Sequence, residues 1–264
     1  NLYSVLVSVD EEERYDLLTT KDEHGNTPIH KLWLGEVLPF LLDMQPVGTD
    51  KAKPLFARNN KGNTPLHNVG QFSKEGWIAL VDLVTVEVMC NLLTIQNDQG
   101  DTIIHKYFRL KDYETPSPES AIKLLQVLTS KTPKLDKTFL LLTNRGEENF
   151  LHSMLRSYMS DPTDSDQFSR SHPPLVKFLL VVAAHSVIQK LLANKNGNGE
   201  SAIHTIAKSF PNLLPQTLKI SGDVALVLYT TDRHDNTPIH TAAQCAASVL
   251  PRLLQLIPMD TLSY

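Results

Sequence analysis

Cysteine is nearly absent from this chain: Cys90 and Cys245 are the only two in 264 residues. Two cysteines support neither a disulfide framework nor a zinc cluster, and their scarcity fits a reducing, cytoplasmic compartment. Long hydrophobic runs are missing too. Runs such as Leu179–Ala184 and Val224–Tyr229 fall far short of the ~20 residues that cross a bilayer. No secretory signal is visible, so no membrane insertion is expected. Neither charge sign dominates. The net charge of -4 offers no global attraction to nucleic acid. No phosphate-binding loop, Gly-x-Ser-x-Gly elbow or His-Glu-x-x-His helix occurs. Gly197-Asn198-Gly199 is a turn rather than a nucleotide fingerprint, because no strand precedes it. With 41% hydrophobic and 20% charged residues, the chain nonetheless has the composition of a folded protein.

Against these absences stands a recurring phrase. Its clearest copy is Asp22-Glu23-His24-Gly25-Asn26-Thr27-Pro28-Ile29-His30. Counted back from its last residue, six copies end in His30, His67, His105, His152, His204 and His240. Leu stands at position -12 in all six: Leu18, Leu55, Leu93, Leu140, Leu192 and Leu228. Asp or Asn stands at -8: Asp22, Asn59, Asn97, Asn144, Asn196 and Asp232. Unbroken columns at such a period are the signature of a solenoid.

Each column has a chemical reason. An Asp or Asn side chain accepts hydrogen bonds from the turn amides that follow it. Gly at -5 (Gly25, Gly62, Gly100, Gly199) supplies the positive φ of a tight turn. Thr27, Thr64, Thr102 and Thr237 at -3, with Ser201 equivalent, cap a helix. Pro28, Pro65 and Pro238 follow at its first position, where a missing N–H costs nothing. The phrase is an outward turn leading into a capped helix.

Gly-Asn-Thr-Pro-Ile-His and Gly-Asn-Thr-Pro-Leu-His resemble the Thr-Pro-Leu-His signature of ankyrin repeats. The resemblance implies an all-α solenoid of stacked helix–turn–helix units with projecting fingers. It spans nearly the whole of 1–264, read as one domain, with a partial repeat at 1–20 and repeats starting near 21, 58, 96, 143, 195 and 231. The departures matter. Successive histidines lie 37, 38, 47, 52 and 36 residues apart, against ~33 in a regular ankyrin repeat. Extra short helices ending at the -12 Leu account for part of the excess, at Glu13–Leu18, Val86–Leu93, Lys134–Leu141, Val187–Leu192 and Asp223–Leu228. Two insertions supply the rest: a loop at Arg109–Pro118 and a mobile stretch at 157–174. Repeat four has Glu147 where Gly is expected, and the array should bend or break there. Neither end offers a polar capping repeat, so the chain is expected to be part of a larger protein.

No constellation carries chemistry. The six repeat histidines fall one per repeat, too far apart to share a metal, and each is expected to bond its own Thr and nearby backbone. Cys245, five residues after His240, lies on the wrong helical face for a Cys–His pair and reads as a small packed side chain. Trp33, Tyr107 and Phe108 fall in the inter-repeat packing column. Catalysis, a cofactor and a metal are therefore not expected. Ankyrin domains use the finger tips and first helices as a concave face, so positions +1 and +4 should line a groove here. Its charged members are Lys31, Lys106, Arg109, Arg156 and Lys208, with no acid among them. The tips carry Glu23, His24, Lys61, Arg145, Arg233 and His234. This set implies a protein-binding scaffold for a partner with an acidic surface. An alternative follows from a further resemblance, to the long, eroded repeats of effectors of intracellular bacteria. In that case the chain would recruit substrate in the host cytosol for an enzyme domain outside 1–264.

Overall fold

The computed structural model describes residues 8, 10–31, 42, 50–68, 74–109, 118–132, 137–159, 176, 178–180, 184–222 and 228–256. Contacts group the chain into two compact units, Asn1–Asp136 and Lys137–Tyr264, and each is taken by itself. The architecture is that of an all-α ankyrin solenoid: short helices, hairpin-like fingers and, among the described residues, no strand beyond two isolated bridges, Thr143 with Asn149 and Lys195 with Ser201.

In unit one the helices are α1 (Glu11–Thr19), α2 (Pro65–Asn68), α3 (Lys74–Leu83), α4 (Val86–Thr94), α5 (Ile103–Arg109) and α6 (Pro118–Lys131). Single 3-10 turns at Pro28–Lys31 and Lys53–Phe56 stand where repeat one starts its first helix and repeat two its short helix. Asp10 caps α1 by accepting the amide of Glu13, and Thr85 caps α4 by accepting that of Val88. Helices α3 and α6 pack side by side, and α2 bridges the repeat-one turn and α5. The core they enclose holds Leu66, Trp77, Leu80, Leu92, Ile104, Leu124 and Leu128. At ~2 kcal/mol for each fully buried Leu, this apolar stripe rather than helix propensity holds such short helices together.

Unit two contains α7 (Phe150–Met159), α8 (His185–Ala193), α9 (Ala202–Ser209), α10 (Leu214–Ser221), α11 (Pro238–Cys245) and α12 (Leu250–Leu254), with a 3-10 turn at Lys137–Leu141. Helix α9 lies between α7 and α11, and α8 packs on α10 and on the 3-10 turn. Phe150 meets Phe178 edge-on, with ring centroids 5.0 Å apart. Pro215 and Pro251 sit in the first turns of α10 and α12, where a missing N–H costs nothing.

All six -12 leucines are buried, at 3% exposure or less. The short helices that end on them are found as α1, α4 and α8 and as the turn Lys137–Leu141; residues 223–227 lie outside the described residues. So do residues 110–117 and 160–175, which hold most of both insertions, and Trp33 with Pro39 of repeat one. Tyr107 and Phe108 are buried at 4% and 5% exposure, which assigns them to packing. The turn of repeat four is intact. Glu147 takes the left-handed conformation itself, at φ 57°, and the turn bonds Asn144 N–H to Glu148 and Glu147 N–H to Asn144 form at 2.9 Å. No single described helix is long and apolar enough to cross a membrane.

Candidate functional site

The fingers are built on their first residue. In every repeat the side-chain oxygen of the -8 Asp or Asn accepts two turn amides. Asn59 takes those of Lys61 and Asn63 at 2.9 and 3.0 Å, and Asp232 takes those of His234 and Asn236 at 2.7 and 2.9 Å. The residue at -5 then turns left-handed: Gly62 at φ 70°, and Asp235, standing where Gly is usual, at φ 60°.

The histidine closes the unit. Thr64 donates its backbone N–H to His67 Nδ1 at 3.1 Å, and the Thr64 hydroxyl lies 2.8 Å from the same nitrogen. An N–H aimed at Nδ1 makes that nitrogen an acceptor, so the proton sits on Nε2. His67 Nε2 then donates to the Asp101 carbonyl of the next repeat at 3.1 Å. His30 does the same to Asn63, and His204, bonded to Ser201, to Asn236. The expected bond to the repeat's own Thr is present, and a second bond pins the following finger. At the last repeat Thr237 and His240 form a capping box in which His fills the role usually taken by Glu or Gln.

Burial keeps these rings neutral. Desolvation pushes the His67 pKa down from 6.5 to about 4, and it lowers those of His30 and His204 in the same direction. These rings are neutral pins between one repeat and the next. Among the described residues no group of three His, Cys, Asp or Glu is placed to hold a metal ion.

Repeat four replaces the Thr by Asn149, which the sequence pattern did not single out. Its Oδ1 accepts the amides of Leu151 and His152 and contacts His152 Nδ1 at 2.9 Å, while its Nδ2 donates to the Leu191 carbonyl. Asn149→Ala should therefore destabilise the chain by about 2 kcal/mol, from the lost cap and the lost bond to α8. Asn149→Thr should restore roughly the cap's share, about 1 kcal/mol, in urea denaturation.

Fingers also join to each other. Asn60 N–H donates to the His24 carbonyl at 3.0 Å, Asp98 N–H to that of Lys61 at 3.1 Å, and Gly197 N–H to that of Gly146 at 2.9 Å. Asn carboxamides add a parallel ladder, Asn59 to Asn26 at 2.8 Å and Asn97 to Asn63 at 2.7 Å. These bonds take up the tip backbone and leave the side chains of Glu23, His24, Lys61, Arg145, Arg233 and His234 exposed. Arg233 Nε donates to His234 Nε2 at 3.1 Å, which sets these two tip side chains as a pair.

The groove residues are less uniform than their sequence positions imply. Lys208 is exposed on α9. Lys31 is exposed but bound to Asp22 at 2.6 Å, and this bond holds the Asp22 carboxyl down at about 2. Arg156 is exposed and ion-paired with Glu148, whose side chain is buried. Lys106 is half-buried, within electrostatic reach of His67. Arg109 ends α5, and its side chain lies outside the described residues. Of the +1 positions, Ser153 is buried at 6% exposure, while Asn68, Thr205 and Thr241 are half-buried. One residue past the buried histidine is only 100° around the helix, so +1 sits at the edge of the face rather than on it. Both ion pairs bridge finger and helix across nine and eight residues. That is outside helical i,i+4 spacing and visible only once the turn folds back.

No family model matches the sequence, and no curated protein matches it. Among solved structures, the ankyrin repeat domain of Bcl-3, a unique member of the IkappaB protein family, is similar over 87% of this chain and 100% of its own, at 19% identity and a TM-score of 0.35. The fold assignment therefore rests on the chain's own geometry: a capped helix start whose histidine is bonded to its own Thr and to the next finger, in the manner of an ankyrin-type repeat.

Proposed function

We propose that the chain is a non-catalytic scaffold that binds a protein partner through its finger tips and first-helix face, in a reducing compartment such as the cytosol. One observation carries the reading. The recurring polar residues bond within and between repeats, whereas the tip residues between them differ from repeat to repeat and are exposed. Structure alone asks only for the flanking Asp or Asn and the left-handed residue; the variety at the tips is what partner-specific recognition uses.

The partner's surface is acidic in this reading. Arg145, Lys208 and Arg233 are exposed cations of unit two on these positions, and no carboxylate pairs with them among the described residues. Lys31 and Arg156 have part of their charge offset by Asp22 and Glu148 and contribute less. The test is the affinity of a partner captured from cytosol for the wild-type chain and for Arg145→Glu/Lys208→Glu/Arg233→Glu. The swap should weaken binding by more than about tenfold and leave the melting temperature unchanged. Unchanged affinity would remove the groove from the interface. Arg156→Glu is the poorer probe, because it sets a second carboxylate against buried Glu148 and mixes stability with binding.

A further inference from the structure

Finger and first helix carry a matched pair of positions, -4 and +4. In repeats three, four and five the first is an acid and the second a base: Asp101 with Arg109, Glu148 with Arg156, Glu200 with Lys208. In repeats one, two and six the first is Asn26, Asn63 or Asn236, and the second is uncharged. The finger itself does not ask for the acid. Asn63 N–H donates to Asn59 Oδ1 at 3.0 Å and Glu148 N–H to Asn144 Oδ1 at 3.1 Å, and both carbonyls accept the -8 amide at 2.9 Å. The side chains differ in use. Asn26 and Asn63 accept from Asn59 and Asn97 of the next finger, whereas an acid at -4 has its counterpart in the helix of its own repeat.

Repeat four shows what the acid does. The Glu148 side chain is 8% exposed and that of Arg156 is 59% exposed. A buried carboxylate is costly unless it is paired, and Glu148 is ion-paired with Arg156 and bonded by Asn144 Nδ2 at 3.5 Å. Repeat five has an acid and a base at the same two positions, with a different outcome. Glu200 is half-buried, Lys208 is exposed, and the two form no ion pair. Helices α7 and α9 pack side by side, and Ser209 Oγ donates to Met159 Sδ at 3.5 Å near their C-terminal ends. Arg156 and Lys208 therefore hold the same position on neighbouring helices, one with its charge offset and the other open.

We propose that Glu148 is a specificity-determining residue of the partner surface: it withholds the charge of Arg156 and so directs an acidic side chain of the partner to Lys208. The inference rests on the reading of an acidic partner. A carboxylate approaching α7 meets Arg156 together with Glu148, a pair of no net charge. One approaching α9 meets an ammonium group whose own -4 acid stands apart. Repeat five anchors the acid, and repeat four declines it although it carries an arginine at the same position. Glu148→Gln keeps the shape of the side chain and one accepting oxygen and removes the negative charge, so it gives the surface a second anchor.

The experiment is fluorescence anisotropy of a labelled hexaglutamate peptide titrated with the full chain at low salt. Glu148→Gln should bind the peptide about fivefold more tightly than the wild type, the worth of one partly exposed ion pair, and adding Arg156→Gln should abolish that gain. Arg156→Gln is not used alone, since it leaves Glu148 buried without its partner. Lys208→Gln, on an exposed side chain, should weaken the wild type about fivefold and tests the anchor apart from the buried site. All variants should keep the wild-type helical signal. The proposal falls if Glu148→Gln binds no more tightly than the wild type, if the gain survives Arg156→Gln, or if Lys208→Gln changes nothing. The charge swap Arg145→Glu/Lys208→Glu/Arg233→Glu separates the two readings. If the swap abolishes peptide binding while Glu148→Gln has no effect, the acidic partner stands and the role of Glu148 falls; if neither alters binding, both fall.

Discussion

Acidification from 6.5 toward about 4 should cost this chain on the order of 3 kcal/mol through His67 alone. The sign follows from the bonds. In the folded chain His67 Nδ1 accepts the Thr64 amide, so a proton there must displace a buried hydrogen bond. The unfolded chain pays no such cost and takes up its proton at the ordinary value of 6.5. Below that value the unfolded state binds more protons than the folded one, and stability falls as pH falls. The loss from His67 ends near 4, where the folded ring protonates too. His30 and His204 are lowered for the same reason and add to the loss within their own narrower windows. Asp22 acts in a separate, more acidic window. Its carboxyl is held down by Lys31, and the stability it adds is lost only between 3.8 and about 2. Urea midpoints followed across this range should fall most steeply between 6.5 and 4, and His67→Gln should flatten the fall. A midpoint that stays level through that window would show that the ring is not held neutral.

Gly62→Val should destabilise the chain by about 3 kcal/mol. Roughly 1–2 kcal/mol is the cost of placing a side chain at φ 70°. The remainder, about 1–2 kcal/mol, is overlap: a Cβ there meets the Asp98 carboxylate at 2.4 Å and its backbone nitrogen at 2.9 Å. Because Asp98 N–H also bonds the Lys61 carbonyl, the neighbouring finger must give way and the ladder between repeats two and three weakens. The reverse change is informative. Glu147 already sits at φ 57°, so Glu147→Gly should stabilise by about 1 kcal/mol, with Gly197 opposite leaving room. Thermal melts of the two variants should move in opposite directions. If Gly62→Val melted with the wild type, the close approach of the fingers would be in doubt.

Much of the fold was legible in the sequence because the signals are local. The -8 Asp or Asn, the glycine, the Thr cap and the first-turn Pro each act within nine residues; the expected turn is found with its bonds, and the side-chain cap is found at Thr102 and Thr237, while the Ser201 hydroxyl caps no amide and bonds His204 instead. The -12 leucines were legible because a residue buried in six successive repeats leaves the same mark six times. What the fingers do to each other was not legible. The pairing of -5 with the next repeat's -7 joins residues such as Gly62 and Asp98, and only the stacked structure makes them neighbours. The ion pairs of the groove were not legible for the same reason. Lys31 and Arg156 stand in the sequence without a carboxylate at helical spacing, and Asp22 and Glu148 return to them only through the turn and the helix start. By itself, then, the sequence determined the repeat, its turn and its cap, because those depend on φ, ψ and hydrogen bonds within one short segment. Only the tertiary structure decided that His30, His67, His152 and His204 each pin the finger that follows, and which charges remain for a partner, because these depend on packing between repeats.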